Sequence, residues 1–175
     1  MTAEVQEKWL KWVALTTTIL AVCAAIGSLK GGGYSTQVQL MTTQESNQWS
    51  FYQAKSLKLH LAEMERDLLK IELLKNDAPA VNLEVQTKIK DLEKNIGRYD
   101  KEKDTIKDKA ESFSGKQDVL KRHGGNFGLA VMFFQIAIML SAIGSLLKQR
   151  AAWLFGLLIG AAGIVYFING FFLIF

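Results

Sequence analysis

The sequence predicts an all-α fold with three transmembrane helices and a long antiparallel coiled-coil hairpin between the first and the second. Of the 21 basic and 17 acidic residues, 31 lie between Gly31 and Asn126, whereas the blocks 12–29, 127–147 and 151–175 contain no Asp, Glu, Lys or Arg. A helix needs about 20 apolar residues to cross roughly 30 Å of hydrocarbon, and each block is near that length. The charged segment between the first two blocks is therefore expected outside the bilayer.

The first block, 12–29, is the least apolar of the three because it contains hydroxyl side chains, namely Thr16, Thr17, Thr18 and Ser28. A Thr hydroxyl can bond the backbone carbonyl one turn back, so it stays satisfied in lipid. A cleaved signal peptide is the competing interpretation, since Lys8 and Lys11 precede the apolar stretch. Its apolar core is longer than that of a usual signal peptide, so we interpret 1–11 as an N-terminal tail and 12–29 as a retained span.

The short loop between the second and third blocks sets the predicted orientation. It reads Lys148-Gln149-Arg150, and short loops rich in Lys and Arg stay in the cytoplasm. The N-terminal tail then also lies in the cytoplasm, and the hairpin lies in the periplasm of a bacterial inner membrane. Basic residues also flank the spans on the hairpin side, but long segments cross largely regardless of charge, so the tight loop is given more weight.

Segment 30–126 is predicted to form the hairpin. Gly31, Gly32 and Gly33 are expected to interrupt the first helix, and Ser35 or Thr42 can cap a new one. In this first arm, apolar residues recur at the alternating spacing of four and three that is typical of a coiled-coil seam: Leu57, Leu61, Met64, Leu68 and Ile71. The segment Asn76-Asp77-Ala78-Pro79 then predicts a turn, with Pro79 in the first turn of the return helix.

The return arm shows the same periodicity with one charged exception, Lys103. Its apolar row is Val85, Ile89, Leu92, Ile96, Tyr99, Ile106, Ala110 and Phe113. Gly115 and the pair Gly124-Gly125 are expected to loosen the chain before the second span begins at Phe127. Burial along the two rows is expected to hold the arms together, because pairs of exposed charges add only a few tenths of a kcal/mol each.

Small residues in the third span form a candidate helix-packing stripe: Ala152, Gly156, Gly160 and Gly163. Small side chains let two helix backbones approach closely in lipid. The stripe either joins the three spans of one copy or forms a contact between copies, and the sequence leaves both open. Gln135 and Asn169 are the polar candidates in the spans, where each can hydrogen-bond a neighbouring helix.

An aromatic and basic cluster in the first arm is the candidate interaction surface. It comprises Trp49, Phe51, Tyr52, Gln53, Lys55 and Lys58. Trp and Tyr combine an apolar ring with a polar tip, which suits a docking surface for a partner protein or for lipid headgroups. The competing interpretation is that Trp49 and Tyr52 pack inside the hairpin or against a neighbouring subunit, since aromatic residues at helical spacing usually lie in a core.

No constellation of reactive groups indicates an enzyme. The sequence contains no phosphate-binding glycine loop, no His-Glu-x-x-His pattern and no nucleophile elbow. His60 and Glu63 could form half a metal site but are expected to be solvated surface residues, and Cys23 is the single cysteine. Segment 31–126 carries 16 basic and 15 acidic residues, which gives nucleic acid no basic surface. We therefore expect no catalysis, no cofactor, no metal and no nucleic acid partner.

Three groups of residues carry a family resemblance. They are Trp49 with Tyr52-Gln53-Ala54-Lys55 and Lys58; Leu15-Thr16-Thr17 with Ala24-Ala25-Ile26; and Gln135-Ile136-Ala137-Ile138 with Gly160-Ala161-Ala162-Gly163 and Asn169-Gly170-Phe171. In these segments the chain resembles a bacterial membrane-protein family known only as a domain of unknown function, family forty-three thirty-seven. The resemblance covers nearly the whole chain and implies the topology given above. The family has no established activity, so the resemblance implies no catalytic residue.

The expected function is that of a membrane scaffold or accessory protein. It would associate with copies of itself in the lipid bilayer and present the hairpin to another membrane or periplasmic protein. The alternative is an oligomeric channel whose conduit is lined by the first or second span, because Thr, Ser, Gln and Asn side chains could line a pore between subunits. The spans contain no ionisable residue of the kind that proton-coupled transport requires.

Overall fold

The computed structural model describes residues 3–75 and 79–175, with side chains from Trp9 to Lys75 and from Val81 onward. These residues form three α-helices and no strand, which confirms the predicted all-α class: α1 at Ala3–Lys75, α2 at Pro79–Leu146 and α3 at Arg150–Phe172. Pro79 opens α2, where its fixed φ and missing N–H cost nothing. The rest of the predicted turn, 76–78, and the side chain of Lys8 lie outside the described residues.

The glycines of α1 and α2 do not interrupt their helices, so the predicted break at Gly31 to Gly33 is wrong. Helix α2 also continues through Gly115 and Gly124-Gly125, where the sequence predicts a looser chain. An interior glycine weakens a helix by only about 1 kcal/mol, which tertiary packing can offset. At Gly31 close packing favours glycine, because an added Cβ would lie 3.3 Å from Cβ of Phe127. A Cβ added at Gly124 would make ordinary contact with Cβ of Tyr34 at 3.5 Å.

The turn between α2 and α3 is closed by a Schellman motif. The N–H of Gln149 donates to the carbonyl of Gly144 at 2.9 Å, and the N–H of Lys148 donates to that of Ser145 at 3.3 Å. Lys148 takes the left-handed conformation, with φ of 54°, that glycine usually supplies at this position. A Cβ at Gly144 would lie 2.9 Å from the backbone nitrogen of Trp153, so this turn requires glycine there.

The chain divides into two compact units. Unit 1 comprises Met1–Gln39 and Gln117–Phe175, and unit 2 comprises Leu40–Lys116. Unit 1 therefore contains the beginning of α1, the end of α2 and the whole of α3. Unit 2 contains the remaining parts of α1 and α2.

The core of unit 1 is a layer of aliphatic and aromatic side chains from all three helices. Leu20 of α1 packs with Ala130, Phe134 and Ala137 of α2, and Ile159, Tyr166 and Phe167 of α3 lie against this cluster. Cys23 is a half-buried free thiol that also contacts the cluster. Closer to Gly170, the fully buried ring of Phe127 packs edge-on against the rings of Phe167 and Phe171, with centroids 5.7 and 4.9 Å away.

The outer surface of unit 1 is apolar on all three helices. Each helix includes a stretch that is long and apolar enough to cross a membrane. The largest exposed side chains on these stretches are hydrocarbon or aromatic, including Leu15, Ile19, Val22 and Ile26 on α1, Met132, Ile136, Met139 and Ile143 on α2, and Phe155, Leu158, Val165 and Ile168 on α3. Glycine, alanine and serine occupy much of the interior instead.

Unit 2 buries the predicted row of the return arm. Val85, Ile89 and Ala110 are buried, and Leu92, Ile96, Tyr99, Ile106 and Phe113 are half-buried. The charged exception, Lys103, is also largely buried, with its ammonium 5.8 Å from the ring centre of Tyr52 and 3.4 Å from Oδ1 of Asp100. Electrostatic attraction to a ring face and to a carboxylate lets a lysine occupy this position.

The predicted seam of the first arm is wrong. Leu57, Leu61, Met64, Leu68 and Ile71 remain 49% to 64% exposed. The inward face of α1 in unit 2 carries a second row at the same three and four spacing, with Leu59 and Ala62 buried and Arg66, Leu69 and Leu73 half-buried. At about 100° per residue the two rows lie roughly 160° apart, on opposite faces of one helix.

Candidate functional site

The small-residue stripe of α3 is filled by neighbouring helices of the same copy. A Cβ at Gly156 would lie 2.9 Å from the carbonyl oxygen of Ala137, and one at Gly163 would lie 2.8 Å from the ring of Phe134. Gly160 faces Leu20 of α1 at 3.3 Å, and the half-buried Ala152 lies against Gly144. Of the two alternatives that the sequence leaves open, packing within one copy is the one that these contacts provide.

Asn169 binds the end of its own helix rather than a neighbouring helix. Its side chain is 1% exposed, and its Oδ1 accepts hydrogen bonds from the N–H groups of Ile174 at 2.7 Å and Phe175 at 3.1 Å. Its Nδ2 donates to the carbonyl of Phe175 at 3.0 Å. The backbone groups left unpaired where α3 ends are thereby satisfied in an apolar setting.

Gln135, in contrast, lies on the outer surface of unit 1. It is exposed, and no hydrogen bond to its amide is found in the part of the chain that the structure describes. It lies eight residues into the predicted span 127–147, close to the middle, and its row has the alternating four and three spacing: Gly128, Met132, Gln135, Met139 and Ala142, all exposed. We call this the Gln135 row.

Polar and aromatic contacts join the three helices near both ends of unit 1. At one end His123 of α2 donates its Nδ1–H to the carbonyl of Gly170 in α3 at 2.7 Å, and its ring stacks on Tyr34 of α1 with centroids 4.9 Å apart. A carbonyl only accepts, so this bond requires the proton on Nδ1. The sequence offered no signal for this pairing, because 47 positions separate His123 from Gly170.

At the other end, tryptophans connect α1 with α3. Nε1–H of Trp153 donates to Oγ1 of Thr16 at 3.2 Å, and the rings of Trp9 and Trp153 lie 6.2 Å apart. The guanidinium of Arg150 lies over the Trp9 ring at 5.7 Å. Trp and Arg with a polar tip and an apolar body are the side chains that suit a membrane–water boundary.

The aromatic and basic cluster of unit 2 is divided between two faces. Trp49, Tyr52 and Lys55 are half-buried, and the rings of Trp49 and Tyr52 meet edge to face at 5.5 Å. Lys55 forms an ion pair with Glu102 of the return arm and lies 5.1 Å from the ring centre of Tyr99. Phe51, Gln53 and Lys58 are exposed, with Phe51 at 60%. One half of the cluster thus contributes to hairpin packing, and the other half is accessible.

The Lys55–Glu102 pair shifts the pKa of its own carboxyl group. The hydrogen bond from Lys55, supported by the charges of Lys55, Arg98 and Lys58, lowers the pKa of Glu102 below its ordinary value, against a smaller opposing effect of burial. A second ion pair between the arms joins Lys70 to Glu93 at 3.1 Å. Both pairs connect α1 to α2 within unit 2, so they help to fix the register of the hairpin.

The exposed face of α1 in unit 2 carries a regular row of large apolar side chains. We call Leu57, Leu61, Met64, Leu68 and Ile71 the α1 row. The sequence predicts the spacing of this row correctly. It does not show whether the row packs on the return arm, because a second row with the same spacing lies on the opposite face of α1. The return arm itself exposes few large apolar side chains, namely Val81 and Leu83 near its start.

His60 and Glu63 lie 3.1 Å apart on the exposed surface. No group of three or more His, Cys, Asp or Glu side chains suited to a metal ion occurs among the residues that the structure describes.

Comparison with known proteins places the chain in a family. A family model described as a domain of unknown function, DUF4337, matches residues 9–173. The chain belongs to the DUF4337 family. No curated protein and no solved structure matches the sequence or the fold of this DUF4337 chain. The match includes both units, so the α1 row and the Gln135 row both lie within the region that defines the family.

Proposed function

We propose that this DUF4337 protein is a multi-pass membrane scaffold that associates with copies of itself and presents its helical hairpin, unit 2, for protein–protein contacts. The observation that carries the proposal is the apolar exterior of unit 1. Soluble helix bundles confine most of their large apolar side chains to the inside and expose polar ones, whereas unit 1 is apolar both inside, at Leu20, Phe127 and Phe134 beside glycine and alanine, and over its outer surface. A hydrocarbon solvent accounts for that apolar exterior.

Self-association is supported by Gln135. An amide in the middle of a hydrocarbon-facing surface lacks a hydrogen-bond partner, and polar side chains within spans are usually directed toward other helices. A carboxamide both donates and accepts, so the same residue of a second copy can satisfy it. Measured interhelical hydrogen bonds of this kind contribute roughly 0.6 to 2 kcal/mol.

The hairpin is assigned to the periplasmic side of a bacterial inner membrane. This assignment rests on Lys148, which lies in the tight turn between α2 and α3, and on Arg150, which begins α3. Trp9 and Trp153, together with the Arg150 guanidinium over Trp9, lie at this same end of unit 1, as expected of residues at a boundary with headgroups.

Fractionation and labelling test the proposal. The protein should remain in the membrane pellet after alkaline carbonate extraction, and mild detergent should release an assembly larger than one chain. Release by carbonate as a soluble monomer would refute the proposal. In a Cys23→Ala background, Lys94→Cys should react with an impermeant maleimide in intact cells. Reaction only after lysis would place the hairpin in the cytoplasm.

The same preparation tests the channel alternative. The middle of unit 1 is filled by Phe134, Ala137 and Leu20, so a conduit would have to run between copies. Defined unitary conductance steps from the purified assembly in planar bilayers would favour the channel over the scaffold.

A further inference from the structure

The α1 row has the geometry of a coiled-coil seam without a partner helix in its own copy. Its five side chains follow the spacing of four and three without interruption, and all five remain about half exposed or more. The face opposite, with Leu59 and Ala62, is the one that packs on the return arm. The return arm therefore covers one face of α1, and the opposite face, with its five apolar side chains, stays exposed.

We infer that the α1 row is the contact through which two copies of this protein pair outside the membrane, helix α1 of one copy against helix α1 of the other. This inference rests on the proposed function, because it takes both copies to be anchored in one bilayer. It adds the residues, the partner and the register of the contact.

The choice of a second α1 as partner follows from what the rest of unit 2 exposes. A seam of Leu, Met and Ile requires an apolar row of matching spacing. From residue 84 to residue 116 the return arm exposes no large hydrophobic side chain. The α1 row itself is thus the complementary surface in unit 2, and pairing of a surface with itself is the rule in two-fold symmetric dimers.

Anchoring fixes the direction of pairing. Copies inserted with one topology leave the bilayer on one side, so their α1 helices run parallel. In a parallel pair each seam residue faces its own counterpart. The α1 row then stacks as five apolar layers, with Leu61 and Leu68 in the a positions and Leu57, Met64 and Ile71 in the d positions.

Charges beside the row modulate this pairing. In the parallel register each g residue faces the e residue five positions further along the partner. His60 then faces Glu65, a favourable neighbour, whereas Asp67 faces Glu72, a pair of like charges. The area is also limited, because ten half-exposed side chains cover on the order of 500 Å² of apolar surface, less than the roughly 1,000 Å² of a stable free interface. Pairing therefore depends on confinement in one bilayer, which raises the effective concentration.

Disulfide trapping in native membranes tests the pairing. In a Cys23→Ala background, Leu61→Cys and Leu68→Cys are each compared with Lys90→Cys, which is exposed on the return arm. Under mild oxidation we expect the row cysteines to form dimers about tenfold faster than the control, because facing positions hold the thiols together. Equal rates for all three variants, with the protein still in the carbonate-resistant membrane fraction, would overturn the inference while leaving the proposed function intact.

Two further variants test the seam and its register, with Met64→Cys as the reporter. Leu61→Lys with Leu68→Lys should reduce trapping about tenfold, whereas Gln86→Lys with Thr105→Lys adds the same charge to the return arm and should not. Glu72→Lys should increase trapping about two- to fivefold, since it replaces a like-charge pair with an opposite one. No change in either case would overturn the inference.

An antiparallel pair would bring Lys58 opposite Glu65 and Leu57 opposite Leu68 of the partner. Trapping of Leu57→Cys with Leu68→Cys in mixed membranes, without self-trapping of either, would therefore replace the parallel arrangement and overturn the inference as stated.

Discussion

At the scale of single residues, this molecule depends on positions where a side chain would not fit. Gly144, Gly156 and Gly163 each lie within 3.0 Å, measured from an added Cβ, of an atom in a neighbouring helix or turn. Two of these atoms belong to the backbone, which cannot move aside like the tip of a flexible side chain. Close approach through small residues is also how helices associate in lipid, where burial of apolar surface gives no drive for packing.

We expect Gly156→Ala to destabilise unit 1 by about 1 to 3 kcal/mol, because its methyl would meet the carbonyl of Ala137 and the hydroxyl of Ser141. Gly125→Ala is the matched control, since nothing lies within 4 Å of its added Cβ. The control should gain up to about 1 kcal/mol in helix propensity. Midpoints of unfolding by SDS in mixed micelles measure both, and equal shifts would contradict the packing explanation.

At the scale of elements, helix α1 has two different faces in unit 2: one packs on the return arm, and the opposite one is exposed. The inward face combines the small Ala62 with Lys55 and Tyr52, which meet Glu102 and Lys103 of the return arm. Apolar burial on that face is modest, so ion pairs and ring contacts contribute to the choice of face and register. The α1 row is more apolar than this inward face, yet it does not pack on the return arm.

The pH dependence of the hairpin should report the Lys55–Glu102 pair. A carboxyl whose pKa is lowered in the folded state stabilises at pH above its unfolded value, and this contribution is lost as pH falls through the lowered pKa. Stability of unit 2 should therefore decrease as the pH falls below about 4.5, the ordinary value for this carboxyl. Glu102→Gln should flatten this part of the profile in thermal melts followed by circular dichroism, with the exposed Glu84→Gln as control. An unchanged profile would contradict the assignment.

At the scale of the whole molecule, Gln135 is a polar residue on an apolar surface, and in the proposed scaffold it would make association between copies specific. A buried polar residue in a helix seam specifies register at some cost in stability, and Gln135 occupies the centre of the Gln135 row. Gly128 and Ala142, seven residues to either side, are small enough to let a second backbone approach.

Gln135→Leu should weaken assembly of the membrane domain by about 0.6 to 2 kcal/mol, that is roughly three- to thirtyfold in the association constant, because the interhelical hydrogen bonds are lost. Ile136→Leu, at an exposed neighbour outside the row, is the control. Energy transfer between labelled copies, measured in liposomes over a series of protein-to-lipid ratios, gives the association constants of the variant and of the control. Association unchanged by Gln135→Leu would exclude Gln135 from the interface.

The sequence by itself determined the helices and the apolar blocks. Charge segregation and 3.6-residue periodicity are local properties, so the all-helical class, the three apolar blocks, the start of α2 at Pro79 and the inward row of the return arm follow from the residues alone. The predicted break at Gly31 to Gly33 and the predicted loosening at Gly124-Gly125 failed because helix propensity contributes little free energy: Gly31 and Gly124 lie in helices that contact Phe127 and Tyr34.

Only the tertiary structure decided which surfaces meet. The two rows of α1 have the same spacing, so periodicity could not tell which one faces the return arm; that depended on contacts of Lys55 and Tyr52 with residues about 50 positions away. Likewise Gly156 and Gly163 pack within one copy, whereas Gln135 points away from it. Spacing along a helix specifies a face, but the partner of that face depends on all the other helices that compete for it.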